Sequence, residues 1–396
     1  MEVFHQTGFR ENWNIDIFNK ENVGDGLILS PVNIAKDKIT AFGSTIKENS
    51  IFDPQLYVVD KSLRGKLTTY DYHPQNLSTS SINTKIINDN SDIIAERCLK
   101  FQVENKFKYL VIPSQKYEGL NYVDNLFKLK LNYVEPFFKY IMKNNIQKPV
   151  YLSLIVSKDI LLNSDKMDYM LNWVTGFQKL KGVYLIFEND FETKQIQDSD
   201  FLLNALKFIN ILKQNELDVL VGYCNVEGLL YSIAMPNAIT MGSYENLRSF
   251  SISRYLSKEQ SAMRPPKPRL FSNKLLNWIN YGVIESIRSL GNNKPDQYFD
   301  DNKYRTDVFV EEFNWHFAKP ELYKHYFISL TKLVKELPEE QNARIEFINE
   351  LVINAKFEYN SLAKNGIILG DSDGLHLDAW QKAIAKFKKY LSEENL

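Results

Sequence analysis

The chain has 396 residues, of which 44% are hydrophobic and 13% aromatic, so it can bury a large core. Its 48 basic and 49 acidic residues nearly cancel, which argues against a protein that coats nucleic acid or an anionic membrane with its whole surface. Two distant cysteines, Cys98 and Cys224, exclude a disulfide scaffold and a cysteine-rich zinc site. The polar N-terminal segment and the absence of an apolar run near ~20 residues predict a cytoplasmic protein outside the membrane.

Short apolar runs rich in Val, Ile, Leu and Tyr alternate with longer amphipathic stretches, which is typical of a parallel α/β sheet. Eight runs are predicted as strands: 25–34, 51–59, 109–114, 150–156, 183–188, 218–223, 238–243 and 268–272. No glycine-rich GxGxxG motif follows the first run, as an open dinucleotide-binding sheet would require. The pattern therefore favours the α/β class and a (β/α)8 TIM-like barrel over residues 1–291.

Amphipathic segments between and after these runs predict the helices. Asp198, Ser199 and Asp200 can cap a helix over 201–215, and the helical segment 121–145 contains Pro136, which should break or kink it. After residue 306 the pattern is helical without strands, and Asn365-Gly366 is a helix stop. We therefore predict a second domain, a C-terminal helical extension over 307–396 packed on the barrel, with the polar stretch 292–306 as the linker.

The active site of such a barrel forms where the strands end and the βα loops begin. Asp53 and Glu188 are the candidate catalytic residues at these ends. The candidate substrate-binding residues are Gln55, Tyr57, Tyr223, Asn225, Ser243, Tyr244, Arg248 and Arg269. Ser30, Asn33, Ser114, Gln115, Asp190 and Glu245 lie at strand ends as well.

Asp53 is the most informative of these residues because it interrupts an apolar strand before Pro54, where an unpaired carboxylate would cost several kcal/mol. It either faces a ligand or caps a local turn made by Pro54. Glu188 and Asp190 are either paired carboxylates suited to a hard cation, or loop and capping residues. The five histidines form no HxH or HExxH motif, so no metal site is predicted, and the sequence identifies no cofactor.

The segment 264–274 gathers basic side chains around three prolines and Phe271. Arg264, Lys267, Arg269 and Lys274 could hold phosphates while Phe271 stacks on a base, which would suit single-stranded nucleic acid. The alternative is a solvated loop that leads into the last strand.

The order of these features resembles the barrel of the tRNA-guanine transglycosylases and their DNA-modifying relatives. The segment Ser50-Ile51-Phe52-Asp53-Pro54-Gln55-Leu56-Tyr57 is similar to the family's second-strand segment, and residues 217–248 are similar to its late strand, helix and strand. The resemblance implies that Asp53 recognises a base. The chain lacks the family's zinc site, and Ser243-Tyr244-Glu245 stands where the family's nucleophilic aspartate follows the seventh strand.

Two functional hypotheses follow. In the first, the barrel binds a nucleobase, nucleotide or single-stranded nucleic acid at its mouth and acts as a glycosyl-bond or base-exchange transferase, with Asp53 and Gln55 on the base edge, a tyrosine stacked on it, and Arg248 and Arg269 on phosphate. In the second, a non-catalytic barrel serves as an interaction or assembly subunit that binds a protein partner or a second copy of itself.

Overall fold

The computed structural model describes residues 1–57, 65–77, 84–116, 120–188, 194–255, 266–289 and 294–394. Eight parallel strands form one sheet in the order β3-β2-β1-β8-β7-β6-β5-β4, and the sheet curls into a nearly closed barrel. The strands are β1 (Glu2–Gln6), β2 (Gly26–Leu29), β3 (Ile51–Phe52), β4 (Leu110–Ile112), β5 (Val150–Ser157), β6 (Gly182–Glu188), β7 (Asp218–Gly222) and β8 (Ala238–Gly242). The predicted (β/α)8 TIM-like fold is confirmed.

One of the eight predicted strands is wrong. The run 268–272 forms β9 (Arg269–Ser272), which pairs antiparallel with β10 (Asn277–Asn280) in a separate two-stranded sheet. Its place in the barrel belongs to β1, which pairs with both β2 and β8. The polar His5 and Gln6 conceal this strand in the sequence, yet both are fully buried and hydrogen-bonded.

Helices surround the barrel and follow most of its strands. They are α1 (Glu11–Glu21), α2 (Lys36–Thr40), α3 (Ser44–Asn49), α4 (Thr84–Glu104), α5 (Tyr122–Leu129), α6 (Glu135–Lys143), α7 (Lys158–Leu161), α8 (Ser164–Thr175), α9 (Ser199–Gln214) and α10 (Glu227–Tyr231), followed by α11 (Tyr281–Ser289), α12 (Lys303–Val308), α13 (Pro320–Lys335), α14 (Gln341–Lys364) and α15 (His376–Glu393). None of the helices in the described ranges is long and apolar enough to cross a membrane.

The local sequence signals for the helices behave as expected. The Asp198 carboxylate accepts hydrogen bonds from the backbone N–H groups of Asp200 and Phe201 at the start of α9. A π-helical turn over Lys130–Val134 separates α5 from α6 just before Pro136, because proline has no N–H to continue the ladder. Gly366 follows α14 with a φ of 77°.

The barrel does not close by strand pairing between β3 and β4. Along the described part of this seam, the Lys108 N–H donates to the Ser50 carbonyl at 2.8 Å. Beyond this bond, the buried side-chain amide of Gln102, on α4, makes the hydrogen bonds that a neighbouring strand would make to β4. Its Oε1 accepts the Val111 N–H at 2.7 Å, and its Nε2 donates to the Val111 carbonyl at 3.0 Å. Gln102 therefore satisfies both backbone groups that β3 is too short to reach.

The C-terminal helices cover the outside of the barrel. The Phe327 ring on α13 packs edge-on against His5 of β1 at 4.8 Å between centroids, and Tyr323 stacks on Trp13 of α1 at 5.2 Å. Helix α15 lies along α9. The stretch 292–306 is more than a polar linker, because Phe299 and Tyr304 within it are buried. The division into domains 1–291 and 307–396 remains a prediction.

Substitution of Gln102 tests the role of this amide at the seam. Gln102→Leu fills the same space but leaves the N–H and C=O of Val111 buried without partners, so we expect the free energy of unfolding to fall by about 3 kcal/mol. The control is Gln214→Leu on the exposed face of α9, which should change it by less than about 0.5 kcal/mol. Urea denaturation measures both. Equal effects of the two variants would show that the seam does not depend on Gln102.

Candidate functional site

The barrel interior is filled by side chains, and aromatic rings occupy its C-terminal end. The side chains inside the barrel form one buried cluster, which includes Phe4, Ile28, Ile51, Val111, Tyr151, Tyr184 and Leu220. The ring of Phe250, from the segment after β8, packs edge-on against Tyr57 and Tyr223 with centroids 5.1 Å away in each case. The Phe250 backbone also forms a parallel bridge with Glu188 at the end of β6. Phe250 therefore fills the mouth at which the first hypothesis expected a ligand.

Asp53 lies under this aromatic layer and is fully buried. It follows Ile51 by two residues, so the alternation of the strand directs both into the barrel. The Tyr57 hydroxyl donates a hydrogen bond to its Oδ2, and the Gln55 N–H donates to its Oδ1 at 3.1 Å. Burial raises the pKa of the Asp53 carboxyl from 3.8 to about 7, although these hydrogen bonds oppose the shift. Asp53 therefore closes the local turn at Pro54, as the second interpretation expected, and it is a buried acid with no ligand-facing position in the cavities described.

Gln55 connects this turn to the opposite side of the barrel. Its Oε1 accepts the Ser30 hydroxyl at 2.8 Å and the Val32 N–H at 3.1 Å, while its Nε2 donates to the Tyr223 hydroxyl at 3.1 Å. Gln55 and Tyr223 have φ values of 51° and 54°, in the left-handed region that non-glycine residues rarely adopt. Each conformation costs about 1–3 kcal/mol, and such strain collects at functional sites.

Glu188 lies apart from Asp53, in the wall of a separate cavity. This cavity has a volume of about 530 Å³ and opens at the carboxyl ends of β4, β5 and β6. Glu188 is 4% exposed; its Oε2 lies 2.8 Å from the Nζ of Lys116, and its Oε1 has no hydrogen-bond partner within the described ranges. Lys116, Lys158, Ser157, Tyr122, Leu126 and Met170 are among the lining residues. A carboxylate in the wall of such a cavity can accept hydrogen bonds from a ligand.

Lys116 and Lys158 are functional candidates that the sequence reasoning did not select. Lys116 follows Ser114 and Gln115, which were selected at the end of the same strand, and Lys158 follows the end of β5. The pairing of Lys116 with Glu188 is visible only when β4 and β6 are placed around the same cavity.

Arg248 and Arg269 are both held by other protein groups, and Arg248 also lines a small cavity with Tyr223 and Asn225. The Arg248 guanidinium lies over the Trp278 ring at 3.8 Å and donates to the Ser243 carbonyl at 2.6 Å. Arg269 is ion-paired with Asp371 and donates to the Trp278 carbonyl at 3.1 Å. Both guanidinium groups therefore join β8 and the β9–β10 hairpin to the C-terminal region, and their predicted contact with phosphate is not supported by this placement.

The other predicted residues are also separated from Asp53. Tyr244 packs against Trp13 and Tyr323 on the outside of the barrel. Ser243 is fully buried, and its hydroxyl has no partner in the part of the chain described. Asn225 donates to the Lys194 carbonyl at 3.2 Å and lines a small pocket with Glu227. Burial raises the Glu227 pKa to about 7, which makes it a second buried acid that the sequence did not reveal.

The predicted surface for single-stranded nucleic acid does not form as proposed. Phe271 is completely buried against Tyr326, so it cannot stack on a base. Lys267 is exposed, but Arg269 is held by Asp371. Arg264, like Asp190 beside Glu188, lies outside the described residues.

Neither family nor sequence relatives guide the assignment. No protein-family model matches the chain, and no curated protein is significantly similar to it in sequence. Among the residues with described positions, no group of three or more His, Cys, Asp or Glu side chains is arranged to hold a metal ion. The site must therefore be interpreted from its own geometry.

The pKa of Asp53 gives a pH-dependent test of the buried turn. Between its ordinary value of 3.8 and about 7 the folded state binds one more proton than the unfolded state, so Asp53 lowers the free energy of unfolding as the pH rises through this range. Asp53→Asn cannot ionise at this position, so its free energy of unfolding should not fall in this way. Between pH 4 and pH 8 the free energy of unfolding of the variant should rise relative to that of wild type by up to about 4 kcal/mol, as measured by urea denaturation.

Asp165→Asn, at an exposed position in the first turn of α8, is the control and should leave the pH profile unchanged. If wild type and Asp53→Asn have parallel profiles, the Asp53 carboxyl is ionised in the folded protein at neutral pH, and the account of a buried neutral acid is wrong.

Proposed function

We propose that this barrel binds a nucleobase or nucleotide in the cavity at the ends of β4, β5 and β6. The observation that carries the proposal is Glu188, a buried carboxylate that lines this cavity of about 530 Å³ and whose Oε1 has no hydrogen-bond partner among the described residues. Small-molecule sites have volumes of roughly 300–1,000 Å³ and combine apolar walls with a few polar groups. The cavity therefore has the size and composition of a ligand site.

The chemistry of the lining supports a base edge beside Glu188. A carboxylate accepts the N–H donors that a nucleobase presents along one edge, and charge strengthens such bonds. Leu126, Leu154 and Met170 offer apolar surface to the faces of a planar ring. Lys116 and Lys158 carry the positive charge that a phosphate group would require.

The site differs from the one that the transglycosylase resemblance implies. Asp53 is sealed under Tyr57 and Phe250 and lines none of the three cavities described here. Glu188 takes over the role of accepting hydrogen bonds from the base. If the protein transfers a glycosyl bond, as the resemblance implies, Glu188 is the carboxylate placed to act as the acid or base.

The second candidate function, an interaction or assembly subunit, is favoured by a different observation. Ile353 and Phe357 lie four residues apart on α14 and are 47% and 71% exposed. Residues at this spacing share one face of a helix, and large exposed apolar side chains are frequent in protein interfaces. The filled centre of the barrel is compatible with this function.

Substitution of Glu188 tests the proposed function. Free bases, nucleosides and 5′-nucleotides are titrated into the wild-type protein by calorimetry. We expect Glu188→Gln to weaken the binding of a base by roughly 10–100-fold, because a charge-assisted hydrogen bond is lost. Lys116→Met should weaken the binding of nucleotides more than the binding of free bases, because only the nucleotides carry phosphate.

The matched control is Glu245→Gln, which also removes a carboxylate paired with a lysine, Lys194, but at an exposed position. It should bind the same ligands as wild type. If none of the bases or nucleotides binds, or if Glu188→Gln binds them like wild type, the proposal fails and the interaction subunit becomes the better explanation.

A further inference from the structure

A second cavity, of about 160 Å³, lies on the other side of the mouth and includes Phe250 in its wall. Ser30, Asn33, Gln55, Tyr223, Ser249 and Tyr255 line it. It has no lining residue in common with the cavity at Glu188. The two cavities are therefore separate spaces at the same end of the barrel.

The floor of this second cavity is a continuous network of neutral polar groups. The Asn33 amide donates to the Ser30 hydroxyl at 2.9 Å, and the hydroxyls of Tyr223 and Tyr255 lie 2.7 Å apart. Gln55 joins the two halves through its hydrogen bonds to Ser30 and Tyr223. Hydroxyl and amide groups can both donate and accept, so such a floor can exchange hydrogen bonds with hydroxyl groups of a ligand.

The described lining of this cavity is uncharged, whereas the lining of the cavity at Glu188 carries charged side chains. The residues described in its wall carry amide, hydroxyl or apolar side chains, without a carboxylate or a basic group. A charged ligand would lose hydration there without gaining an opposite charge. A neutral ligand with several hydroxyl groups meets no such penalty, and the rings of Phe250 and Tyr255 can cover its C–H faces.

The backbone at this floor provides an independent reason to expect a ligand. Eight non-glycine residues in the described ranges have a positive φ. Two of them, Gln55 and Tyr223, are hydrogen-bonded to each other and line this same cavity. Both follow barrel strands on the face where TIM barrels bind substrates. Strained residues persist where the surrounding structure holds a functional geometry.

We propose that this cavity is a second ligand site, selective for neutral polyhydroxylated molecules of the sugar or polyol class. Gln55 and Tyr223 hold the ligand hydroxyls, and the absence of charge in the described wall discriminates against phosphorylated or acidic sugars. The site acts independently of the Glu188 cavity.

The test uses D-ribose and myo-inositol as neutral probes and ribose 5-phosphate as the charged one, titrated into the full chain and followed by ligand-observed NMR. At least one neutral probe should bind in a way that Ser249→Phe abolishes, whereas any binding of the phosphate at Lys116 and Lys158 of the Glu188 cavity should persist in Ser249→Phe. Tyr223→Phe, which removes one hydroxyl of the cavity floor, should weaken the binding of that neutral probe roughly tenfold. Ser249→Phe, which places a ring in the cavity, should abolish binding even if Tyr223→Phe is poorly folded.

Two controls separate this site from other effects. Tyr326→Phe removes a buried hydroxyl that has no hydrogen-bond partner among the residues whose positions are described, so this variant should bind the probes like wild type. Glu188→Gln should also leave polyol binding unchanged, whether or not it affects nucleotides. Failure of both neutral probes to bind at millimolar concentration, tighter binding of the phosphate that Ser249→Phe abolishes, or unchanged binding of the neutral probes in Ser249→Phe would overturn the proposal.

Discussion

The aromatic layer at the mouth of the barrel is the feature on which the rest of the site depends. An eight-stranded parallel barrel has an interior just wide enough to be filled by side chains, so its centre is a packed core rather than a channel. In this protein the filling extends to the C-terminal end, where Phe250 seats on Tyr57 and Tyr223. Space for a ligand is therefore displaced from the axis to the rim.

This displacement explains why two buried carboxylates play different parts. Asp53 is enclosed with the Tyr57 hydroxyl and the Gln55 N–H, and burial keeps it neutral up to about pH 7. Glu188 is also inward-facing, but it ends β6 at the wall of a cavity and pairs with Lys116. Position relative to the aromatic layer, rather than burial alone, separates the structural acid from the candidate ligand-binding acid.

The barrel is also completed from outside its own strands. Gln102 supplies hydrogen bonds at the seam where β3 is short, and α13 packs on β1 through Phe327 and on α1 through Tyr323. Arg248 and Arg269 fix the region around β9 and β10 to this cover. These two arginines thus serve the packing between the barrel and its C-terminal region.

Much of the fold could be predicted from local patterns, because apolar runs and helix caps act within a few residues. Asp198 and Gly366 were read correctly for that reason. β1 was missed because His5 and Gln6 make it polar, and their buried partners come from distant parts of the chain. The predicted site residues do not meet in one pocket for the same reason. Phe250 packs across the mouth against residues that are distant in sequence, and the spacing of residues in the sequence does not predict such a contact.

A crystal structure after soaking with nucleobases would test the central claim most directly, because it locates the ligand relative to the aromatic layer. The account predicts electron density in the cavity at the ends of β4, β5 and β6, within hydrogen-bond distance of Glu188, with Phe250 still seated on Tyr57 and Tyr223. Density on the barrel axis in contact with Asp53, with Phe250 moved aside, would contradict it.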